Sequence, residues 1–254
     1  TNVAQPAIGA VSAAICDLVS GFGLVPGAAA GHSFGELSAL SAAGAFDTEA
    51  LVRLAHARGD AIIAEGGDDL GTMIAVNAGV EAVQAAIGSA EGVTFANINA
   101  PDQTVLAGSA AALDVATPAL EAAGLNARRL PVACAFHSDF VAPAQARLGA
   151  AITAMDLAVP DLPVYGNETA MPYPSDADAV RAQLTRHLTQ PVDFLGSIEA
   201  MHDAGTRLFV EVGPNAVLTR LAGRILGDRP HLAVATDVPG RGGLQQLLTA
   251  LGAA

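Results

Sequence analysis

Apolar residues recur at helical spacing near the start of the chain. Between residues 6 and 20 they fall at Ile8, Val11, Ile15 and Leu18. A proline in the first turn and glycines after the last turn mark the two ends of such a segment. The pattern predicts an amphipathic helix over residues 6–20.

A second helix is predicted from Asp47, a good N-cap residue, to residue 64. One face of this helix carries Leu51, Ala55, Arg58 and Ile62. A charged side chain on a core-facing stripe needs a partner. Arg58 is therefore expected to bind either a ligand or a protein carboxylate, for which Glu36 is the candidate.

The pattern changes after residues 65–69, which are polar and glycine-rich and indicate a linker. Short apolar runs then alternate with helical segments in the order β-α-β-β-α-β, which is typical of ferredoxin-like units. Strands are predicted at residues 72–76, 93–98, 104–107 and 126–132, and helices at residues 80–87 and 110–123. We expect residues 71–132 to form a small inserted subdomain.

Strands and helices alternate again after residue 132, which predicts a mainly parallel sheet with helices on both faces. Strands are expected at residues 162–165, 208–212 and 232–235. Helices are expected at residues 138–155, 176–188, 192–204, 216–226 and 243–251, the first of them capped by Ser138.

The sequence GHSFGE at residues 31–36 lies between a short apolar run and an alanine-rich helical segment. Gly-x-Ser-x-Gly in that context is the nucleophile-elbow pattern, in which a tight turn exposes the serine and the flanking glycines avoid clashes of Cβ atoms. The pattern favours Ser33 as a nucleophile and the backbone N–H of Phe34 as an oxyanion donor. A chance match in an alanine- and glycine-rich chain is the alternative.

These patterns together predict an α/β fold. We expect an α/β-hydrolase-like large subdomain formed by residues 1–70 and 133–254, with a mainly parallel sheet. The ferredoxin-like small subdomain, residues 71–132, is inserted into it.

Composition narrows the possible partners and the compartment. The chain has 25 acidic and 12 basic residues, a net charge of −13, which argues against nucleic acid as a partner. Cys16 and Cys134 lack the spacing of a disulfide framework or a zinc site, which favours a reducing, cytoplasmic location. Asp17 interrupts the best apolar run, so no membrane association is expected. The chain begins with Thr1, and we expect it to be a piece of a longer protein.

A serine nucleophile needs a base, and His137 is the strongest candidate among six histidines. It lies in the sequence CAFHS, where the predicted insertion returns to the large subdomain, and clefts form at such junctions. The alternative is a loop histidine with a purely structural role.

Matching motifs along almost the whole chain resemble the malonyl-CoA:acyl carrier protein transacylases and the acyltransferase domains of polyketide synthases. They are Gln5-Pro6, GHSFGE at 31–36, Arg58, GTM at 71–73, NINAPDQ at 97–103, Gly108, AFHS at 135–138, Pro191-Val192 and EVGP at 211–214. The stretch GHSFGELSAL also resembles the iterative synthases that make enediyne cores.

The resemblance implies a catalytic pair of Ser33 and His137 with no third carboxylate. It implies that Arg58 binds the free carboxylate of the extender unit, and that Gln5 and Asn99 also contact substrate. Phe136 beside the base and Phe34 at the elbow are typical of domains that select malonyl over methylmalonyl units. The alternative for Phe136 is a residue of the core.

The sequence departs from the family pattern in two ways, one residue and one missing motif. A backbone carbonyl orients the base in the family, and the resemblance assigns it to His187, where a glutamine is usual in the stretch that reads HLTQPV here. The family's N-terminal Gly-Gln-Gly loop, whose glutamine N–H completes the oxyanion hole, has no match in this chain. The alternative to an active domain is therefore a piece of chain that is inactive without this loop.

The resemblance implies an acyltransferase that loads malonyl from malonyl-CoA onto the phosphopantetheine thiol of an acyl carrier protein, within a larger synthase. It implies no metal and no redox cofactor. Two other classes remain open. One is a serine esterase or thioesterase of the α/β-hydrolase type, with Asp203 and His231 completing the triad in the required order. The other is a catalytically silent docking module.

Overall fold

The computed structural model describes residues 2–65 and 70–254 of the chain. Its helices are α1 Ala4–Gly21, α2 Gly35–Ala42, α3 Thr48–Glu65, α4 Val80–Ile87, α5 Ala110–Ala122, α6 Ala142–Thr153, α7 Ala177–Arg186, α8 Phe194–Asp203, α9 Val217–Leu226 and α10 Gly243–Ala253. Its strands are β1 Ala29–Ala30, β2 Thr72–Val76, β3 Val93–Ala100, β4 Gln103–Gly108, β5 Ala127–Arg129, β6 Val164–Tyr165, β7 Val192–Asp193, β8 Leu208–Glu211 and β9 Leu232–Ala235. Most of the predicted linker, residues 66–69, lies outside the described residues.

Helix α1 forms as predicted, but its apolar stripe faces outward. It packs against α2 and α3, and its buried residues are Gly9, Ser12 and Val19. Val11 and Leu18 on the stripe are 45% and 46% exposed. The small residues of α1 allow a close approach, since a Cβ added at Gly9 would lie 3.1 Å from the Phe34 ring. Packing with a neighbouring helix therefore decided which face is buried.

By length and composition, α1 could cross a membrane. Its 18 residues have a mean hydropathy of 1.2 with Asp17 included. The indication is weak, because one such helix near the start of a chain is common in proteins that do not span a membrane.

The predicted starts of α3 and α7 are confirmed, and the predicted starts of two other helices are wrong. The carboxylate of Asp47 accepts from the N–H of Ala50 at 2.7 Å, and that of Asp176 caps α7. Ser138 does not cap α6; its hydroxyl donates to the carbonyl of Ala135, and a 3₁₀ turn, Asp139–Val141, precedes the helix. The first two residues of the predicted helix at 192–204 form strand β7, because they pair with β3.

The mainly parallel sheet expected for the large subdomain is not one continuous sheet. Two parallel pairs, β1 with β6 and β8 with β9, are separate two-stranded sheets. The largest sheet has the order β5-β2-β4-β3-β7, and its first four strands are antiparallel. Strand β7 extends it by pairing in parallel with β3. The fold is α/β with mixed sheets.

Helices α4 and α5 cover one face of the five-stranded sheet with a buried cluster of their own, which includes Ile74, Leu106 and Leu113. The opposite face packs on Ala135 and Phe136. The chain between β5 and α6 therefore lies between this sheet and the helices of the remaining part, and this position holds His137.

Candidate active site

The elbow predicted at residues 31–36 is present. Strand β1 ends at Ala30, α2 begins at Gly35, and Ser33 adopts a positive φ of 50°, a conformation unusual for a non-glycine residue. Gly31 is sterically required, because a Cβ there would overlap the backbone of Gly35. The expectation for Gly35 itself is wrong, since a Cβ added to it would meet nothing within 4 Å.

Ser33 and His137 form a hydrogen-bonded pair. The Oγ of Ser33 lies 2.7 Å from Nε2 of His137, although the two residues are 104 positions apart. Nδ1 of His137 donates to the carbonyl oxygen of Gln190 at 2.9 Å. With the Nδ1 proton held by that carbonyl, Nε2 is free to accept the proton of the serine hydroxyl.

The hydrogen bond to Gln190 corrects the assignment to His187. The orienting carbonyl does belong to the predicted stretch, but to a residue three positions later. The turn after α7 causes this difference, because the N–H groups of both Thr189 and Gln190 bond back to the carbonyl of Arg186. The backbone of His187 also raises the pKa of His137, but less than the backbone of Gln190 does.

His137 is 1% exposed, and burial lowers its pKa to about 3, with smaller contributions from the charge of Arg58 and from His32. A histidine with this pKa is neutral at physiological pH. It can therefore take a proton from Ser33 without first losing one.

Residues 1–249 match the family described as the acyl transferase domain. The chain belongs to this family. It is 33% identical to the malonyl CoA-acyl carrier protein transacylase of Bacillus subtilis over 243 residues, covering 92% of this chain and 76% of that protein. It is 32% identical to the polyketide synthase GfsA of Streptomyces halstedii over 254 residues, covering 99% of this chain and 3% of that synthase.

A solved structure gives the same result. The acyltransferase domain of the iterative polyketide synthase in enediyne biosynthesis superposes with a TM-score of 0.86 at 33% identity, covering all of this chain and 66% of that one. The chain thus spans only part of several of its relatives.

In this acyl transferase domain, Arg58 lies close to the Ser33–His137 pair. It is 1% exposed, and its Nε and Nη2 have no hydrogen-bond partner among the residues that the structure describes. Its guanidinium carbon lies 6.0 Å from the centre of the Phe136 ring. Burial lowers its pKa to about 10, so the side chain remains cationic at neutral pH.

Sequence reasoning missed Asn167, which makes hydrogen bonds to three residues of the elbow. Its Oδ1 accepts from the N–H of Ser33 at 2.7 Å, and its Nδ2 donates to the carbonyl of Gly31 at 2.6 Å. Its own N–H donates to the Glu36 carboxylate at 2.7 Å. The only available signal was its place just after β6, because carboxyl ends of parallel strands meet at one edge and β6 pairs with β1.

Glu36 is 1% exposed and also accepts a hydrogen bond from the hydroxyl of Tyr173. Burial raises its pKa to about 7. Among the described residues Glu36 makes no ion pair with Arg58 within 4 Å, although its charge acts on the arginine from a distance. The alternative of a structural ion pair is therefore not what the geometry supports.

The remaining predicted residues have different surroundings. The Oδ1 of Asn99 accepts from Nε2 of His32 at 2.7 Å, and its amide nitrogen donates to Gln103 at 3.2 Å. The Oε1 of Gln5 is buried and lacks a partner within residues 2–65 and 70–254. Phe34 is buried and immediately precedes α2, so its backbone N–H lies at the N-terminal end of that helix.

The residues of the esterase alternative do not assemble with Ser33. Nδ1 of His231 lies 2.7 Å from the carbonyl of Arg229, and the carboxylate of Asp203 is 3.9 Å from the ring of His202. Ser33 instead meets His137. The triad expected for an α/β-hydrolase esterase therefore does not assemble in the described part of the chain.

Proposed function

We propose that this acyl transferase domain moves a malonyl group from malonyl-CoA to the phosphopantetheine thiol of an acyl carrier protein through an ester on Ser33. The observation that carries the proposal is the hydrogen-bonded series from Ser33 through His137 to the Gln190 carbonyl, beside a buried arginine with unpartnered nitrogens. The names of relatives such as the Bacillus subtilis transacylase support the choice of acyl group and carrier.

In the first half of the reaction, the Oγ of Ser33 attacks the thioester carbonyl while Nε2 of His137 takes the hydroxyl proton. The tetrahedral oxyanion is stabilised by the backbone N–H of Phe34 at the start of α2. The C–S bond then breaks, and the departing CoA sulfur takes the proton from His137. The products are malonyl-Ser33 and free CoA.

In the second half, the carrier thiol gives its proton to His137 and attacks the serine ester. The C–O bond breaks, the proton returns to Ser33, and malonyl remains on the carrier as a thioester. Arg58 would hold the malonate carboxylate in both halves through paired N–H donors. Gln5, with its unpartnered oxygen, is the proposed second contact to substrate.

The finer description of the fold is also a proposal. Residues 71–132 would be a ferredoxin-like subdomain, and the strand order β5-β2-β4-β3 supports it. Residues 1–70 and 133–254 would be the α/β-hydrolase-like subdomain, supported by the elbow between β1 and α2. We place the domain in the cytoplasm, beside other domains of a larger synthase.

Intact-mass measurement after mixing with malonyl-CoA tests the function. We expect a malonyl adduct that maps to Ser33, is absent from Ser33→Ala, and is discharged by a carrier protein or pantetheine. An esterase would release malonate to water without accumulating transferred product. A protein that never labels would be a silent module, and either result would refute the proposal.

A further inference from the structure

The His187 ring lies against the proposed base. It is 3% exposed at the end of α7, and neither ring nitrogen finds a partner in the described part of the chain. Its ring centre is 5.7 Å from that of His137, with the two planes at 80°. This separation and angle are those of an edge-to-face aromatic pair.

The groups around His187 keep its ring uncharged. Burial lowers its pKa well below the ordinary value, and Arg58 on α3, His137 and His32 act in the same direction. The backbone of Ser33 acts in the opposite direction and does not outweigh them. Oε2 of Glu36 on α2 lies 3.8 Å from Nε2 of His187. That distance is too long for a hydrogen bond.

A buried polar ring without hydrogen bonds is costly, since each unpaired nitrogen loses its water without compensation. The nitrogens of His187 make no hydrogen bond of ordinary geometry among the described residues, so they fix the ring only weakly. The edge-to-face contact with His137 is the interaction of this ring that the geometry shows.

We propose that His187 is a positioning residue whose ring fixes the orientation of the His137 imidazole. The two hydrogen bonds of His137 lie in the plane of its ring and define the direction of Nε2 and Nδ1. The edge-to-face contact opposes rotation of the ring out of that plane. This inference rests on the proposed function, in which His137 is the base that activates Ser33.

Three substitutions separate the aromatic surface from the nitrogens and from volume. His187→Phe keeps a ring and removes both unpaired nitrogens, so we expect an unchanged acylation rate within about twofold and a higher melting temperature. His187→Leu keeps bulk without a ring, and we expect acylation of Ser33 by malonyl-CoA to slow about two- to tenfold, the range of one aromatic pair. His187→Gln should slow it similarly.

The readouts are the single-turnover rate at saturating malonyl-CoA and the concentration giving half that rate. A positioning role lowers the first and leaves the second unchanged. His231→Phe, outside the site, is the matched control for replacing a histidine by phenylalanine. If His187→Leu does not fold, His187→Gln carries the same comparison.

Nitrogen NMR of the His137 ring gives a measurement that does not depend on activity. We expect one fixed tautomer in the unsubstituted protein and in His187→Phe, and averaged signals in His187→Gln. Equal rates and equal spectra for the phenylalanine, leucine and glutamine variants would overturn the inference. Failure of the unsubstituted protein to label at Ser33 would instead refute the proposed function, while the spectra would still test the contact between the two rings.

Discussion

His137 shows how burial sets the working range of a base. A histidine in water would be half protonated near pH 6.5, but burial and the charge of Arg58 lower the pKa of His137 to about 3. The proposed base is therefore neutral far into the acid range.

We predict that acylation of Ser33 does not lose its base near pH 6.5. Protonation of His137 should lower kcat/KM for malonyl-CoA only below about pH 5. His137→Ala should slow acylation by about 10²- to 10⁴-fold at every pH in this range. Intact-mass measurements on samples quenched at several times, between pH 5 and 8, check both predictions. A pH profile of acylation with a midpoint near 6.5 that disappears in His137→Ala would contradict the prediction about the acid range.

Arg58 differs from surface arginines of this chain because its buried nitrogens lack partners among the described residues. If it binds the malonate carboxylate, Arg58→Ala should lower kcat/KM for malonyl-CoA by about 10- to 100-fold, the scale of charged hydrogen bonds. Use of acetyl-CoA should fall much less or rise. Arg58→Lys is the control, since it keeps charge without the planar pair of donors. Equal losses with both substrates would make the arginine structural.

Phe136 fills space beside the base, partly buried between the helices and the five-stranded sheet. An α-methyl group on the extender unit would have to displace the ring, and overpacking costs about 1–3 kcal/mol. We therefore predict a preference for malonyl-CoA over methylmalonyl-CoA of roughly 5- to 150-fold, reduced in Phe136→Ser. Competition between the two thioesters measures it. Comparable acylation of the unsubstituted protein by both would end the claim.

At the scale of elements, the turn from β1 to α2 depends on one glycine. Gly31→Ala would force its new Cβ into the backbone of Gly35, so we expect a loss of more than about 2 kcal/mol in the free energy of unfolding and no acylation. Gly35→Ala is the matched control, because its Cβ meets open space at the start of a helix. Thermal unfolding of both variants tests this. Similar losses for the two would show that the turn does not depend on the close approach.

The position of Ser33 is also held by groups that come from far away in the chain. Its N–H bonds to Asn167 after β6, and its hydroxyl meets His137 between β5 and α6. A local pattern can indicate that a serine lies on a tight turn. It cannot indicate which distant residues satisfy its donors.

For the whole molecule, Glu36 makes stability depend on pH. Its pKa is raised to about 7 from an ordinary 4.5, so the folded state binds its proton more tightly than the unfolded state does. This stabilisation is complete below about pH 4.5 and is lost as pH rises through about 7, a change of about 3 kcal/mol. Buried His137, with a lowered pKa, adds an opposite slope below pH 6.5.

The contribution of Glu36 is measured as a difference. The free energy of unfolding of the unsubstituted protein minus that of Glu36→Gln should decrease between pH 4.5 and 7.5. Denaturant unfolding at several pH values gives this quantity and cancels the slope from the histidines. A difference that is flat with pH would mean that Glu36 titrates normally in the folded state.

The sequence by itself determined the local elements and the identity of the proposed catalytic pair. Strand β2 and helix α4 have the predicted bounds, and Asp47 caps its helix, because these features depend on residues within a few positions of one another. The motif at residues 31–36 and the sequence around His137 indicated the site in the same way.

Only the tertiary structure decided which groups meet there. Four features depend on segments that are distant in sequence. They are the outward-facing apolar stripe of α1, the pairing of β7 with β3, the hydrogen bond from His137 to the Gln190 carbonyl, and the hydrogen bonds of Asn167 to the elbow. Each is selected by packing and by the need to pair buried polar groups. Those requirements apply between elements, and no local pattern of residues records them.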